Sequence, residues 1–165
     1  MLKKFIAAVI IAIPFCMSAQ KFGTVDSQAI LTQLPDYTEA EAKLAESSKK
    51  YEAELAKLRE EFDKKATDYQ AILDDPNTPQ TIKERRTQEM QELDQKIQQF
   101  LQAAQQDLQR QQVQLLQPIQ EKILGAIQAV GQEDSFTIIF PAEACVYQGS
   151  GCVDVTPLVK TKLGL

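Results

Sequence analysis

Histidine and tryptophan are both absent from this 165-residue chain. Without histidine, the side chain best suited to proton transfer near neutral pH is missing, and so is the commonest nitrogen ligand for zinc. No serine or cysteine stands in a nucleophile–base arrangement, and nothing in the sequence gathers lysines or carboxylates into one site. The sequence therefore points away from an enzyme and away from a cofactor. Basic surplus is also missing: 18 Lys and Arg face 23 Asp and Glu, a formal charge of −5. Nucleic-acid binding, which leaves a basic stripe, is not expected. Simple attraction to an anionic lipid surface is disfavoured for the same reason, so membrane contact is at most peripheral.

A long apolar run is lacking too. Phe5 to Phe15 is the most apolar stretch, well short of the roughly 20 residues that span a bilayer. It follows Lys3 and Lys4 and precedes Met17-Ser18-Ala19, the order of a secretory signal peptide. The sequence predicts cleavage after Ala19, leaving an exported chain of 146 residues and charge −7. Acylation at Cys16 is a competing reading, but bulky Phe15 stands where lipoprotein signals carry a small residue. An uncleaved anchor is the other alternative.

Cysteine is scarce, and only Cys145 and Cys152 lie beyond the leader. In an exported chain such a pair is permitted a disulfide; reduced or intermolecular thiols are the alternative. Two soft ligands without histidine do not make a structural zinc site. Asp74-Asp75 reads as a solvated turn rather than a cation site. Gly149-Ser150-Gly151 is too short for a phosphate loop and lacks its lysine.

What the chain has in abundance is helix. Tyr37, Ala40, Leu44, Tyr51, Leu55, Leu58, Phe62, Tyr69 and Ile72 recur mostly in steps of three and four. After a break at Asp74 to Gln80, a second seam runs through Ile82, Met90, Leu93, Ile97, Phe100, Ala104, Leu108, Leu115, Ile119, Ile123, Ile127 and Val130. A period near 3.5 marks helices that pack lengthwise. At about 1.5 Å per residue the two would span roughly 55 and 75 Å. Prolines 76 and 79 punctuate the break, Thr78 or Thr81 is the expected cap of the second helix, and Gly131 its expected stop. Opposite charges four apart, such as Glu46–Lys50 and Glu60–Lys64, decorate a solvated face. The 12 glutamines between Gln95 and Gln120 supply an uncharged helical face. Toward the end of the second helix Val113, Leu116 and Leu124 widen the apolar stripe, which implies burial on more than one side. Pro118 lies inside the pattern and predicts a bend with the helix continuing.

The ends of the chain read differently. Phe22 to Val25 is a short strand, with Asp26 or Ser27 capping the following turn. Pro35 interrupts the next helical pattern and Asp36 restarts it. Phe136 to Phe140 is β-branched and aromatic, as strands are, and Ala144 to Tyr147 reads as another. Cys152 to Val155 leads to a last helix, capped by Thr156 with Pro157 at its first position. The sequence thus predicts an α+β, predominantly helical chain. Residues 20–35 and 132–165 form a small β-rich body, and residues 36–131 an antiparallel helical-hairpin arm with its tip near 74–80. Some 50 body residues make a marginal core alone, so self-association is expected.

Phe22-Gly23-Thr24-Val25-Asp26-Ser27-Gln28-Ala29-Ile30-Leu31, then Leu34-Pro35-Asp36-Tyr37, resembles the opening of the Skp/OmpH-like periplasmic chaperones. Pro118 to Ile123 with Ala126-Ile127, Phe136 to Phe140, and Val153 to Thr156 with Val159 and Leu163 are similar to that family's later segments, in the same order. The resemblance covers the mature chain. It implies a jellyfish-shaped homotrimer in which helical arms surround a cavity and hold unfolded outer-membrane β-barrel proteins without ATP. The body core would then be Phe22, Val25, Ile30, Leu34, Leu116, Ile123, Ile127, Phe136, Ile138, Phe140, Val155 and Val159. Leu73, Leu101 and Ala103, free of the seam, are the candidate client contacts, and Pro118 the candidate hinge. Well-known members carry basic tips, whereas Asp74 and Asp75 make this one acidic, so gripping is sought along the arms. The competing class is a structural or adaptor coiled coil binding one folded partner. A third, an amphipathic lipid-binding protein, is argued against by the narrow stripe and few aromatics of the arms.

Overall fold

The structure is a computed structural model that describes residues 20–165; the expected signal peptide, residues 1–19, lies outside the described residues. Strand β1 (Phe22–Val25) leads into a short helix α1 (Ser27–Leu31) and two long helices, α2 (Pro35–Asp74) and α3 (Gln80–Glu133). Strands β2 (Ile138–Pro141) and β3 (Cys152–Asp154) and helix α4 (Thr156–Leu163) complete the chain. Two compact units result: residues 20–27 with 126–164, and residues 28–125.

The first unit is organised by β1. The sheet order is β2-β1-β3, and both pairings are parallel. Phe22 stands opposite Ile138 on one side and Cys152 on the other. A central strand is covered on both faces, so it reads as a continuous buried run rather than an alternating one; Gly23, Thr24 and Val25 are all buried. Gly23 is required by closeness. A Cβ there would lie 3.1 Å from Cε1 of Phe136 and 3.2 Å from Cγ1 of Ile139. Val25, Ala126, Val130, Val155 and Val159 form this unit's core. The Val155 N–H donates to the Thr24 carbonyl (2.8 Å) and the Asp26 N–H to Thr156 Oγ1 (2.9 Å). These bonds tie the start of α4 to the end of β1. Lys21 places its ammonium 4.0 Å from the Phe136 ring centre and donates to the Asp134 carbonyl.

The second unit is dominated by α2 and α3, of 40 and 54 residues in full, or roughly 60 and 80 Å of helix. Their seam is the one the spacing predicts. Every seam residue of α2 is buried or half-buried, and on α3 only Ile82 is exposed. Cross-links join the two helices: Asp36 to Lys122 (2.7 Å), Ser47 to Gln111 (2.8 Å), Tyr51 to Asp107 (2.6 Å) and Tyr69 to Thr87 (2.9 Å). Partner numbers fall along α3 as they rise along α2. The i,i+4 bridges Glu46–Lys50 and Glu60–Lys64 form as expected, both largely exposed.

Element ends depart from the sequence reading in six places, one of them β2, which starts at Ile138 rather than Phe136 and includes Pro141. Pro35 does not interrupt a helix; it opens α2, where its missing N–H costs nothing. Gly131 does not stop α3, which runs to Glu133. Ser135 supplies the left-handed residue instead, at φ 56°, while the Phe136 N–H returns to the Gly131 carbonyl at 2.9 Å and the Ser135 N–H to that of Gln132. That is the double-bonded helix ending usually built on glycine. A Cβ added at Gly131 would meet Ile139 Cδ1 at 3.4 Å, an ordinary van der Waals contact. Neither Thr78 nor Thr81 caps α3: the Thr78 hydroxyl donates to Asp75 at 3.2 Å, and Thr81 lies within the first turn. Residues 144–147 form no strand, because Ala142–Ala144 makes a 3₁₀ turn that the Cys145 N–H closes onto the Ala142 carbonyl. Thr156 does not cap α4; its hydroxyl is taken by Asp26, and Val155 is the cap residue. The other end of α4 closes on Gly164, left-handed at φ 82°.

Candidate functional site

The paired helices α2 and α3 carry most of the chain's surface chemistry, and it is polar. One four-residue node sits at the proximal seam. Tyr51 donates its hydroxyl to Asp107, the Gln111 amide donates to the same carboxylate, and Ser47 donates to the Gln111 carbonyl oxygen. Arg110 adds an ion pair to Asp107 at 3.4 Å, and the Phe100 ring meets Tyr51 edge-on with centroids 6.0 Å apart. The Tyr51 bond, followed by the Gln111 bond, holds the Asp107 carboxyl below its usual range. The same bond from Asp107 raises the Tyr51 phenol. Acceptance by an ionised carboxylate makes such bonds stronger than neutral ones.

Sequence reasoning missed this node, although a signal was present. The apolar seam skips a turn between Leu44 and Tyr51 and again between Leu108 and Leu115. Ser47 and Gln111 fill those two vacancies and bond each other. A matched pair of gaps on two helices is a readable mark of a polar layer.

At the break, the Asp75 carboxylate accepts from the Asn77 N–H (2.9 Å) and the Thr78 hydroxyl. The Asn77 bond is the main reason its carboxyl lies below the ordinary value. Asp74 accepts from Gln70. Asp75 thus acts within its own turn, as an Asx turn does, while Asp74 is engaged along the last turn of α2.

Apolar exposure along the pair is sparse. Leu73 is 39% exposed and Leu101 42%, and Ala103 is exposed as well. All three candidate contacts are therefore at the surface. Ile82 and Val113 join them, the latter more than half exposed. Sequence reasoning assigned Ile82 to the seam and Val113 to the widened base. A shallow crevice of about 680 Å³ lies between the helices, with Leu44 and Leu108 among its apolar lining and Gln105, Gln109 and Gln112 among its polar lining. Another, of about 350 Å³, is lined by Ala40, Leu115, Pro118 and Ile119 with the Asp36–Lys122 pair at its edge. Wide, polar-rimmed and open, they suit weak contact with an extended chain better than capture of a small ligand.

A family model for outer membrane proteins of the OmpH-like type matches residues 21–163, nearly all of the described chain. This chain belongs to the OmpH-like family. Six solved chains also match. Among them is a crystal structure of a Caulobacter crescentus CB15 protein, designated provisionally as an OmpH-like outer membrane chaperone, with TM-score 0.73 and 19% identity over 87% of this chain and 83% of that one. At that identity the likeness speaks for the fold. None of the curated proteins matches.

In this OmpH-like chain the expected body residues divide into three groups. Val25, Ile30, Leu34, Ile123, Val155 and Val159 are buried within a single copy, and Phe22, Leu116, Ile127 and Phe136 are half-buried. Ile138 and Phe140, on the outer strand β2, are 45% and 41% exposed. Pro118 lies inside an unbroken α3, so the helix continues past it as expected. Cys145 and Cys152 are two half-buried free thiols, one after the 3₁₀ turn and one at the start of β3. No helix among the described residues is long and apolar enough to cross a membrane.

Proposed function

We propose that this OmpH-like protein is a periplasmic holdase. It is exported by a cleavable signal peptide, works without ATP, and keeps unfolded outer-membrane β-barrel proteins from aggregating between its helical arms. The observation that carries this reading is the character of the α2–α3 surface: isolated exposed apolar side chains such as Leu73 and Leu101 among charged and glutamine-rich faces. Each such contact is weak, but many act together on one tethered chain, so capture is firm while every contact still breaks readily. The polar cross-links, with partner numbers falling along α3, support an antiparallel hairpin as the unit of the arm.

Three copies would meet through the bodies. Ile138, Phe140 and Val153 on the outer strands and Leu158 on α4 are each 40% or more exposed. Two outer strands and several large apolar side chains left open are what an assembly covers. Pro118 serves as the hinge of the arm, and Cys145 and Cys152 pair under oxidising conditions. Mass spectrometry after alkylation of the denatured, unreduced protein should then find no modified thiol in the mature chain; two modified thiols would discard the pairing.

The reading is tested by measuring mass and chaperoning together. The mature protein should run as a trimer by light scattering and keep a urea-diluted β-barrel protein soluble at near-stoichiometric amounts without nucleotide. A monomer that leaves aggregation unchanged would falsify it. Binding confined to one folded partner would instead favour an envelope adaptor.

A further inference from the structure

We propose that the distal part of the helical pair, Arg59 to Glu92, opens as a unit of its own at a wet joint built around Arg86. The seam has a second pair of vacancies. It skips a turn between Phe62 and Tyr69 and again between Ile82 and Met90. Lys65 and Arg86 occupy these gaps, both half-buried. The proximal vacancies are closed by a direct Ser47–Gln111 bond; the distal ones are not closed by any bond between their occupants. Lys65 pairs with Glu61 on its own helix, and Arg86 Nη1 with Glu89 on its own.

Arg86 Nε is shut off from solvent and has no hydrogen-bond partner among the described residues. Beside it lies a cavity of about 30 Å³ lined by Lys65, Asp68, Tyr69, Arg86, Glu89 and Met90. That is room enough for a water molecule, and the lining is polar enough to hold it. A water here accepts from Nε and donates to the Asp68 or Glu89 carboxylate. The joint is thus sealed by solvent rather than by packing.

Leu58 and Leu93 are the last buried side chains toward the tip, and nothing between Arg59 and Glu92 is buried. What spans the helices there is the Tyr69–Thr87 bond and the Lys83 ammonium on the Leu73 carbonyl. Opening this segment uncovers apolar side chains that are only half-buried, such as Phe62, Tyr69, Ile72 and Met90, and returns four half-buried charges, Lys65, Lys83, Arg86 and Glu89, to water. Segments with those properties open at low free energy while the rest stays closed. Such an opening needs no client, so it stands or falls separately from the holdase reading.

Hydrogen exchange on the full-length protein decides it. Amides of 62–72 and 83–91 should exchange together, roughly tenfold or more faster than those of 47–57 and 94–108, with the step at Leu58 and Leu93. The double substitution Lys65→Leu with Arg86→Met replaces the wet layer by an apolar one. It should slow distal exchange by roughly tenfold, because apolar side chains that pack against each other replace a solvent-filled layer, and leave proximal amides unchanged. A smooth rise toward the tip without a step, uniform protection along both helices, or a distal rate indifferent to the substitution would each overturn the proposal. Should the double variant not fold, the presence or absence of the step in the parent protein decides alone.

Discussion

The same substitution, glycine to alanine, should have opposite effects at two positions. At Gly23, in the central strand, the new methyl would lie 3.1 Å and 3.2 Å from two carbons of the Phe136 ring and 3.2 Å from Ile139 Cγ1. Those neighbours must yield by a few tenths of an ångström. Phe136 also has the Lys21 ammonium over its ring, 4.0 Å from the ring centre. Overpacking of this kind costs about 1–3 kcal/mol, and the stiffer unfolded chain returns about 0.4–1 kcal/mol. Gly23→Ala should therefore lose roughly 1 kcal/mol. At Gly125, inside α3, an added Cβ meets nothing within 4 Å, so Gly125→Ala should gain about 1 kcal/mol of helix propensity. The two variants then differ by roughly 2 kcal/mol, or about 1 M in urea midpoint for a slope near 2 kcal/mol per molar. Circular dichroism at 222 nm reads both, at one protein concentration because association shifts apparent stability. A Gly23→Ala midpoint at or above that of the parent refutes the close-packing argument. A Gly125→Ala midpoint below it means that something outside the single chain rests on that face.

Other expectations follow from the arm. Asp107 is held below the ordinary carboxylate range by Tyr51 and then Gln111. Its contribution is therefore full above the unfolded carboxylate pKa and is lost as pH falls through the lower folded value. Tyr51→Phe should move acid unfolding to higher pH, and an unmoved acid midpoint would show the bond to be idle. Pro118→Ala restores the N–H that the Gln114 carbonyl lacks. Spin labels at exposed Gln105 and Gln128 should then report a narrower distance distribution; an unchanged one sinks the hinge. Leu73→Gln with Leu101→Gln removes two of the exposed apolar side chains, while Ala103→Ser tests the third candidate. Suppression of client aggregation should weaken roughly fivefold in the double variant with the oligomer mass unchanged, and full retention would move the gripping surface elsewhere.

The long seam was legible because its cause is simple: residues every three or four positions share a face, and the helices are long enough for the period to be unmistakable. Helix ends were less legible because caps compete with tertiary demands. Thr156 looks like a cap, but the Asp26 N–H claims its oxygen from 130 positions away. Gly131 looks like a stop, yet α3 runs past it to Glu133 and Ser135 takes the left-handed conformation instead. The segment around Ala144 carries strand-like residues but lies beyond Pro141, where a 3₁₀ turn satisfies the backbone locally. Among the site residues, exposure of Leu73 and Leu101 could be read from their position off the seam. The Ser47–Gln111 layer left a mark in the matched seam gaps, but the Tyr51–Asp107 bond could not be read, since it depends on how two helices are set against each other.

The parallel sheet carries a consequence for how the chain is made. β1 is the middle strand, yet both of its neighbours, Ile138–Pro141 and Cys152–Asp154, lie more than 110 residues further on. A polypeptide threaded out from its N-terminus therefore delivers the hub of its sheet first and the rim last. In between, α2 and α3 can form from contacts close in sequence, which are fast, while Phe22 to Val25 waits with both edges unsatisfied. A newly made copy thus carries an aggregation-prone strand beside formed helices, and it is the emergence of its final thirty residues that ends that interval.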